Sequence, residues 1–374
     1  MNKKLIAATL AGAFAAPAAM ADVTIYGFIS AGVEYVQATG GVYKASGLSA
    51  KDADQYEGRV RIQNENSRIG FKGAEDLGNG LKAVWQVEQA LAVDGDGTGS
   101  NWATRNSYVG LQGGFGEVRL GRHDDAYKVI GDSVGLNVMT NTSADNSWNQ
   151  NAIYGRAGNR RLNTALYLSP VFAGFQAAAS YSADEERKYA GVNGDERTNT
   201  SVYGVAVKYA ANGLAASLGY NHSSDRDNFI QLSPGIVNNA KLDAYMANIA
   251  YRFGDAMIGA GYEYIDYDTY KQDSWTVVGA YQFGAFGIKA SYSMLGKAKD
   301  MNNKVFSDSD YKANQWVLGA TYDLSKRTQI LAYATQIDNK KAATANFGVN
   351  AVTNSALVSG TDPQAYGLAL KHSF

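Results

Sequence analysis

The chain has 374 residues, of which 45% are hydrophobic, with 41 glycines, 25 tyrosines, 4 prolines and no cysteine. The lack of cysteine excludes disulfides, zinc–thiolate sites and thiol nucleophiles. A formal net charge of −1 and the absence of a long basic run argue against a nucleic-acid-binding protein.

The first 21 residues have the pattern of a secretory signal peptide. Two lysines precede an apolar run from Leu5 to Ala16, and small residues then form a cleavage site before Asp22. This run is shorter than the roughly 20 residues that a spanning helix needs, so a membrane anchor is the weaker alternative. We expect residues 1–21 to be removed on export to the periplasm. No later stretch is long and apolar enough for a spanning helix, so residues 22–374 would cross a membrane only as strands.

Apolar and polar side chains alternate along sixteen runs of the mature chain. In the run ending at residue 323, for example, Trp316, Leu318 and Tyr322 alternate with Gln315 and Thr321. Alternate side chains of a strand point to opposite faces, and an uncharged apolar face beside a small polar face is typical of membrane β-barrels. The runs are 23–37, 58–73, 80–92, 102–112, 117–123, 159–169, 174–183, 199–210, 213–222, 241–253, 255–267, 272–284, 285–297, 312–323, 327–338 and 363–374.

The connections between these runs are of two kinds. Seven are short and rich in turn residues, at 78–80, 113–116, 169–170, 211–213, 253–255, 283–285 and 324–327, and eight longer segments lie between them. Short periplasmic turns and long external loops are the asymmetry of bacterial barrels. The sequence therefore predicts an all-β fold, a 16-stranded antiparallel transmembrane β-barrel that encloses an aqueous channel.

The alternation also assigns basic side chains to the inner face. Arg59 and Arg61 face inward against Val60 and Ile62, and Arg68 faces inward against Ile69. The parity changes between these two sets, which predicts a β-bulge near residues 64–66. The lumen-facing basic residues predicted in this way, together with one lysine on the same run and one on the next run, are Arg59, Arg61, Arg68, Arg161, Lys72 and Lys82.

The last run ends the chain on an aromatic residue. Tyr366, Leu368, Leu370 and Phe374 share one face of the strand, and only His372 interrupts that apolar stripe. This pattern resembles the signal by which the barrel-assembly machinery recognises outer-membrane proteins. We expect it to direct insertion.

Five segments resemble the Gram-negative general porins, most closely the neisserial and betaproteobacterial type. They are Asp22–Gly27, Ser67–Glu88, Tyr108–Gly116, Tyr322–Thr328 and Lys371–Phe374, so the resemblance spans the mature chain. It implies a homotrimer in the outer membrane, in contact with lipid and lipopolysaccharide. It also implies passive diffusion of ions and small hydrophilic solutes, and a third external loop folded inward to narrow each pore.

That third loop should run from His123 to about Gly158, a length that suggests a function. The resemblance implies a constriction in which acidic residues of the loop face basic residues of the wall. Facing charges would order water and hinder apolar solutes, and an excess of arginine predicts a weak anion preference. The acidic candidates are Asp124, Asp125, Asp132 and Asp145, and the basic ones are Arg68, Arg105 and one or more of Arg156, Arg160 and Arg161. Alternation does not support Arg105, which rests on the resemblance alone.

Other functions find less support in the sequence. Residues 94–99 resemble the start of a calcium loop, but the twelfth position is Arg105 where a bidentate glutamate is needed. We therefore predict no metal, no cofactor and no enzymatic activity. The alternatives are an adhesin or purely structural barrel, or a barrel hydrolase built on His372 and a serine of a neighbouring strand.

Overall fold

The computed structural model describes residues 23–40, 57–95, 101–148, 152–183, 189–190, 196–197, 200–226, 240–268, 270–300, 306–352 and 357–374. The predicted signal peptide lies outside these residues. Within them, no helix is both long and apolar enough to cross a membrane.

Antiparallel strands follow one another around a single large sheet in chain order. They are β1 (Thr24–Thr39), β2 (Arg59–Asn64), β3 (Arg68–Gly78), β4 (Leu81–Ala90), β5 (Ser107–Gly113), β6 (Gly116–Asp124), β7 (Arg160–Leu168), β8 (Phe175–Ala183), β11 (Ser201–Ala211), β12 (Leu214–Arg226), β13 (Ala240–Phe253), β14 (Ala256–Asp266), β15 (Lys271–Phe283), β16 (Phe286–Leu295), β17 (Ala313–Asp323), β18 (Thr328–Asn339) and β19 (Asp362–Ser373). Two short strands, β9 (Tyr189–Ala190) and β10 (Glu196–Arg197), pair separately.

The sheet closes on itself through its first and last strands. β1 pairs with β19 from Phe28 opposite Ser373 to Thr39 opposite Asp362. β2 and β3 both pair with β1 and form one interrupted strand, so the described residues build a closed barrel of sixteen strands. Closure removes the free sheet edges, as a membrane barrel requires. The predicted fold class is confirmed, and so are six of the seven short turns, whereas the turn predicted at 169–170 is a six-residue connection, 169–174.

The interruption is the predicted bulge. Three residues between Asn64 and Arg68 oppose two residues of β1, and Asn66 takes a left-handed φ of 56°. Backbone hydrogen bonding to β1 continues across the bulge, because the Glu65 backbone N–H donates to the Ser30 carbonyl at 2.9 Å. Because of the extra residue in the bulge, Arg68 faces inward although its number is even and those of Arg59 and Arg61 are odd.

The outward face is apolar and the inward face is polar. Ile62 and Leu368 are 64% and 58% exposed on the outside, whereas Glu34, Glu263 and Thr276 are fully buried on the inside. An exposed apolar surface of this kind faces lipid in a membrane barrel.

The hydrophobic core lies inside the barrel, where two long connections pack against the wall. The third loop (residues 125–159) begins with a helix, α1 (Ala126–Asp132), which is N-capped by the Asp125 side chain accepting from the Lys128 backbone N–H. The last loop (residues 340–361) contributes Phe347 and Val352 to the same cluster as Val138 and Met139 of the third loop. The inward-folded third loop is confirmed, and α1 was not predicted.

Candidate functional site

The third loop and the facing wall enclose a polar space of about 480 Å³ inside the barrel, which we call the waist. Among the described residues it is lined by four basic side chains, Arg68, Arg105, Lys128 and Arg160, and by four acidic ones, Glu88, Asp124, Asp132 and Asp145. Five asparagines and Trp148 complete most of the lining. The structure thus brings three of the five predicted arginines together with three of the four predicted acids.

Arg105 reaches the waist from just before β5. Its guanidinium forms an ion pair with Glu88 on β4 at 2.5 Å, and its backbone N–H donates to the Glu88 carbonyl at 3.0 Å. Ala103 has a left-handed φ of 61°, so the strand begins only at Ser107. The alternation therefore could not place Arg105. Glu88 was missed, although its position opposite Gly70 in the ladder puts it on the same inward face as Arg68.

Arg160 and Lys128 both lie against Asp124 at the end of β6. The Arg160 guanidinium is 3.3 Å from the Asp124 carboxylate, and the Lys128 ammonium, one helical turn away on α1, is 3.4 Å from it. Asn106 also donates to this carboxylate at 2.8 Å. Asp124 is therefore an acid of the wall and not of the loop.

Arg68 has a different environment. Its guanidinium donates to the Asn66 carbonyl and the Asn141 side-chain oxygen, and it lies 4.6 Å from the centre of the Phe28 ring. No carboxylate of the described chain lies within 4.0 Å of it. Arg68 thus contributes a positive charge to the waist that no neighbouring acid neutralises directly.

Neither loop acid at the waist forms an ion pair with an arginine of the described chain, and hydrogen bonds within the loop hold Asp145. Asp145 accepts from the Asn137 side chain at 2.5 Å and from the Asn141 backbone N–H at 3.0 Å. Burial nevertheless raises the pKa of Asp145 to about 6. Burial also raises the pKa of Asp132, which the Lys128 charge opposes.

Arg156, Arg161 and Asp125 do not line the waist. Arg161 is buried with its guanidinium 3.3 Å from the Asp125 carboxylate, and Arg156 is buried with a 2.8 Å hydrogen bond to Gln272 on β15. Burial raises the pKa of Asp125, and the Arg161 charge opposes that rise. Arg161 belongs to the wall, whereas Asp125 and Arg156 belong to the loop, and their contacts attach the loop to the wall instead of facing water.

A third attachment was not predicted at all. Glu263 on β14 is fully buried and accepts from the Tyr127 hydroxyl at 2.9 Å, the Arg156 backbone N–H at 2.9 Å and the Ala157 backbone N–H at 3.3 Å. A single carboxylate therefore holds both ends of the third loop. The sequence signal was only a glutamate among inward-facing positions of a strand.

The remaining predicted side chains face the lumen or the lipid. Arg59 and Arg61 donate to carbonyls of the last loop, and Arg61 also pairs with Glu34 at 2.6 Å. Lys72 stacks on the Tyr26 ring, and Lys82 opposes Asp76 across the ladder near the short turns. The terminal side chains Tyr366, Leu368, Leu370 and Phe374 are exposed on the outer face.

Residues for the rival chemistries are dispersed over the described chain. His372 is exposed and contacts the Thr328 hydroxyl at 2.9 Å, and no serine accompanies it in that bond. No group of three or more histidine, aspartate or glutamate side chains that could hold a metal occurs in the described ranges.

Comparisons with known proteins concern both the family and the fold. The family model described as Gram-negative porin matches residues 7–342. The major outer membrane protein P.IB of Neisseria meningitidis serogroup B is 35% identical over 359 residues, covering 91% of this chain and 95% of that protein. The anion-selective porin from Comamonas acidovorans superposes with a TM-score of 0.69 at 23% identity, over 95% of this chain and 100% of that one. The trimer form of OmpT from Vibrio cholerae gives a TM-score of 0.62 at 16% identity, over 94% and 99% of the two chains.

Proposed function

The chain belongs to the Gram-negative porin family, and we propose that its charged waist gives the channel a weak preference for anions. It is a general diffusion porin of the outer membrane, in which ions and small hydrophilic solutes pass through the water-filled barrel. The observation that carries the preference is the environment of Arg68. Arg105 and Arg160 are paired with Glu88 and Asp124, but Arg68 contacts only neutral groups and an aromatic ring.

The acids do not offset this charge in the same way. Asp145 is 7% exposed, and its carboxylate accepts hydrogen bonds from two amide groups of the loop. These bonds partly offset its negative charge before any solute reaches it. In a passage narrower than the Debye length of about 8 Å at physiological salt, near charges dominate distant ones. The guanidinium of Arg68, which has no ion pair, therefore supports a modest attraction for anions at the waist, and the exposed Asp132 carboxylate keeps that attraction weak.

A salt gradient across a planar bilayer tests this proposal. The reversal potential of the purified protein should indicate a modest anion preference at about 0.1 M salt, and the preference should shrink in molar salt as the screening length falls to about 3 Å. A cation-selective or unselective current at low salt would contradict it. Insertion without current would instead favour a structural or adhesive barrel.

We further propose that three copies assemble in the membrane. The support for this proposal is that the fold is shared with the trimer form of OmpT from Vibrio cholerae. Each insertion event should then raise the conductance by one step, and the current of that step should fall in three equal parts as the three pores close. Equal, indivisible steps would indicate a single pore.

The ends of the chain carry two proposals about export. We propose that residues 1–21 are cleaved and that lipopolysaccharide surrounds the external half of the barrel.

We propose also that the barrel-assembly machinery recognises the last strand. At the end of that strand the Phe374 backbone N–H donates to the carbonyl of Gly27 on β1 at 3.1 Å. Deletion of Phe374 should leave the protein in the periplasm, whereas Phe374→Tyr should insert normally. Normal surface levels of the deletion variant would refute this.

A further inference from the structure

A second, smaller space lies next to the waist, between the tip of the third loop and the barrel wall. It measures about 90 Å³ and is roofed by residues 138–142 of the loop. Its walls include Ser30 on β1, Lys289 on β16 and Lys371 on β19. Met139 approaches closely because its neighbour on β17 is Gly319, where an added Cβ would overlap with the methionine sulphur. The loop tip and the wall thus form a pocket off the main passage.

Two lysines meet in this pocket without an acidic partner. Lys371 lies opposite Ser30 and Gln329 in the ladder, and Lys289 lies opposite Gly319. Neither ammonium has a carboxylate within 4.0 Å among the described residues. Lys371 instead lies 4.4 Å from the centre of the Phe28 ring, which Arg68 also approaches at 4.6 Å. Cations gathered in a partly desolvated space repel one another unless an anion joins them.

The nearby acids are occupied by other groups. Glu65 lines the pocket but contacts the Tyr333 hydroxyl at 2.7 Å and accepts from the Asn350 amide at 3.2 Å. Asp323, on the strand next to Lys289, accepts from the Gln329 amide at 2.6 Å. Neither carboxyl is therefore directed at the lysines.

A buried hydroxyl supplies an independent observation. Ser30 is 1% exposed, and within the described residues its side-chain oxygen has no hydrogen-bond partner. A buried hydroxyl without a partner costs free energy, and a ligand oxygen in the pocket would relieve that cost. Ser30 lies directly across the ladder from Lys371, so one ligand can contact both.

We propose that Lys289, Lys371 and Ser30 form a binding site for a small inorganic oxyanion of the size of phosphate. The cavity has room for several waters, each needing about 10–15 Å³, and therefore for one tetrahedral oxyanion. Two ammonium groups and a hydroxyl match the oxygens of such an ion through charge-assisted hydrogen bonds. Thr140 and Asn141 line both spaces, so the pocket lies directly beside the waist. The inference deepens the proposed anion preference but does not depend on Arg68.

Inorganic phosphate is the probe for the test. We expect phosphate added to a chloride solution to reduce the single-channel current of the purified protein in a saturating manner. Lys289→Gln and Lys371→Gln should each raise the half-blocking phosphate concentration about ten-fold, and the double variant about a hundred-fold. Lys82→Gln is the matched control, because it removes a lumen-facing lysine at the short-turn end, outside the pocket. Channel formation by each variant shows that it folds.

The outcomes separate this site from the waist. Absence of block in the unaltered protein, or an unchanged half-blocking concentration in the double variant, would overturn the proposal. If block is lost in the double variant while the reversal potential at low salt indicates no anion preference, the pocket stands and the proposed selectivity fails. If the preference persists and phosphate does not block, the selectivity stands and the pocket fails.

Discussion

The hydroxyl of Tyr333 lies 2.7 Å from a carboxyl oxygen of Glu65, and the same hydroxyl lies 2.7 Å from Glu34. A phenol has one proton to donate, so both contacts are hydrogen bonds only if one carboxyl carries a proton itself. Arg61 forms an ion pair with Glu34 at 2.6 Å, whereas Glu65 accepts only from the Asn350 amide. Glu65 is therefore the protonated member, which donates to the Tyr333 oxygen while Tyr333 donates to Glu34.

Neutral replacements of the two carboxyls should consequently differ. Glu65→Gln retains a neutral donor at that position, and we expect the midpoint of thermal unfolding in detergent to change little. Glu34→Gln removes the partner of Arg61, whose side chain is 18% exposed, and should cost roughly 1–3 kcal/mol of unfolding free energy. Circular dichroism on both variants checks the order. Greater destabilisation by Glu65→Gln than by Glu34→Gln would show that the proton resides on Glu34.

Arg68 and Arg161 provide a second contrast, between a side chain at the waist and one that attaches the loop. Arg68→Gln should move the reversal potential toward cations at low salt and leave stability nearly unchanged, because its partners are neutral. Arg161→Gln leaves the buried Asp125 carboxylate without its cation, at a cost of about 3–5 kcal/mol. We expect that variant to unfold at lower temperature. An unchanged reversal potential for Arg68→Gln would remove this residue from the waist.

Much of the barrel was predictable because strand alternation is a local property. Opposite faces of one strand meet lipid and water, so the parity of Ile62 and Ile69 alone located both the inner face and the bulge between them. The third loop has no such period, and its contacts join residues about a hundred positions apart, as between Arg156 and Glu263. The sequence can therefore assign an arginine to the inner face of the barrel. It cannot decide whether that arginine faces water, as Arg68 does, or makes a buried contact with the loop, as Arg161 does.

The ionisation of Asp145 gives the waist a pH dependence with a defined sign. Burial raises the pKa of this carboxyl to about 6, so it is charged at about pH 7.5 and neutral at about pH 5. Acidification removes a negative charge from the waist lining, which should shift the reversal potential toward anions. Asp145→Asn should show that shift already at neutral pH and respond less to acid. A shift toward cations on acidification would contradict the assignment.

The final prediction concerns Glu263, which holds the third loop against the wall. Its carboxylate accepts from Tyr127, Arg156 and Ala157, so Glu263→Ala leaves three buried donors without a partner. Each unsatisfied donor costs about 1–3 kcal/mol, which favours departure of the loop from the wall over retention of the packed state. The loop would then no longer narrow the lumen, and we expect a larger and noisier single-channel conductance. Tyr127→Phe, which removes only one of the three donors, is the control and should conduct nearly as the unaltered protein does. If Glu263→Ala inserts with unchanged conductance, the buried helix contacts of α1 with Ala178 and Ala206, and not Glu263, hold the loop in place.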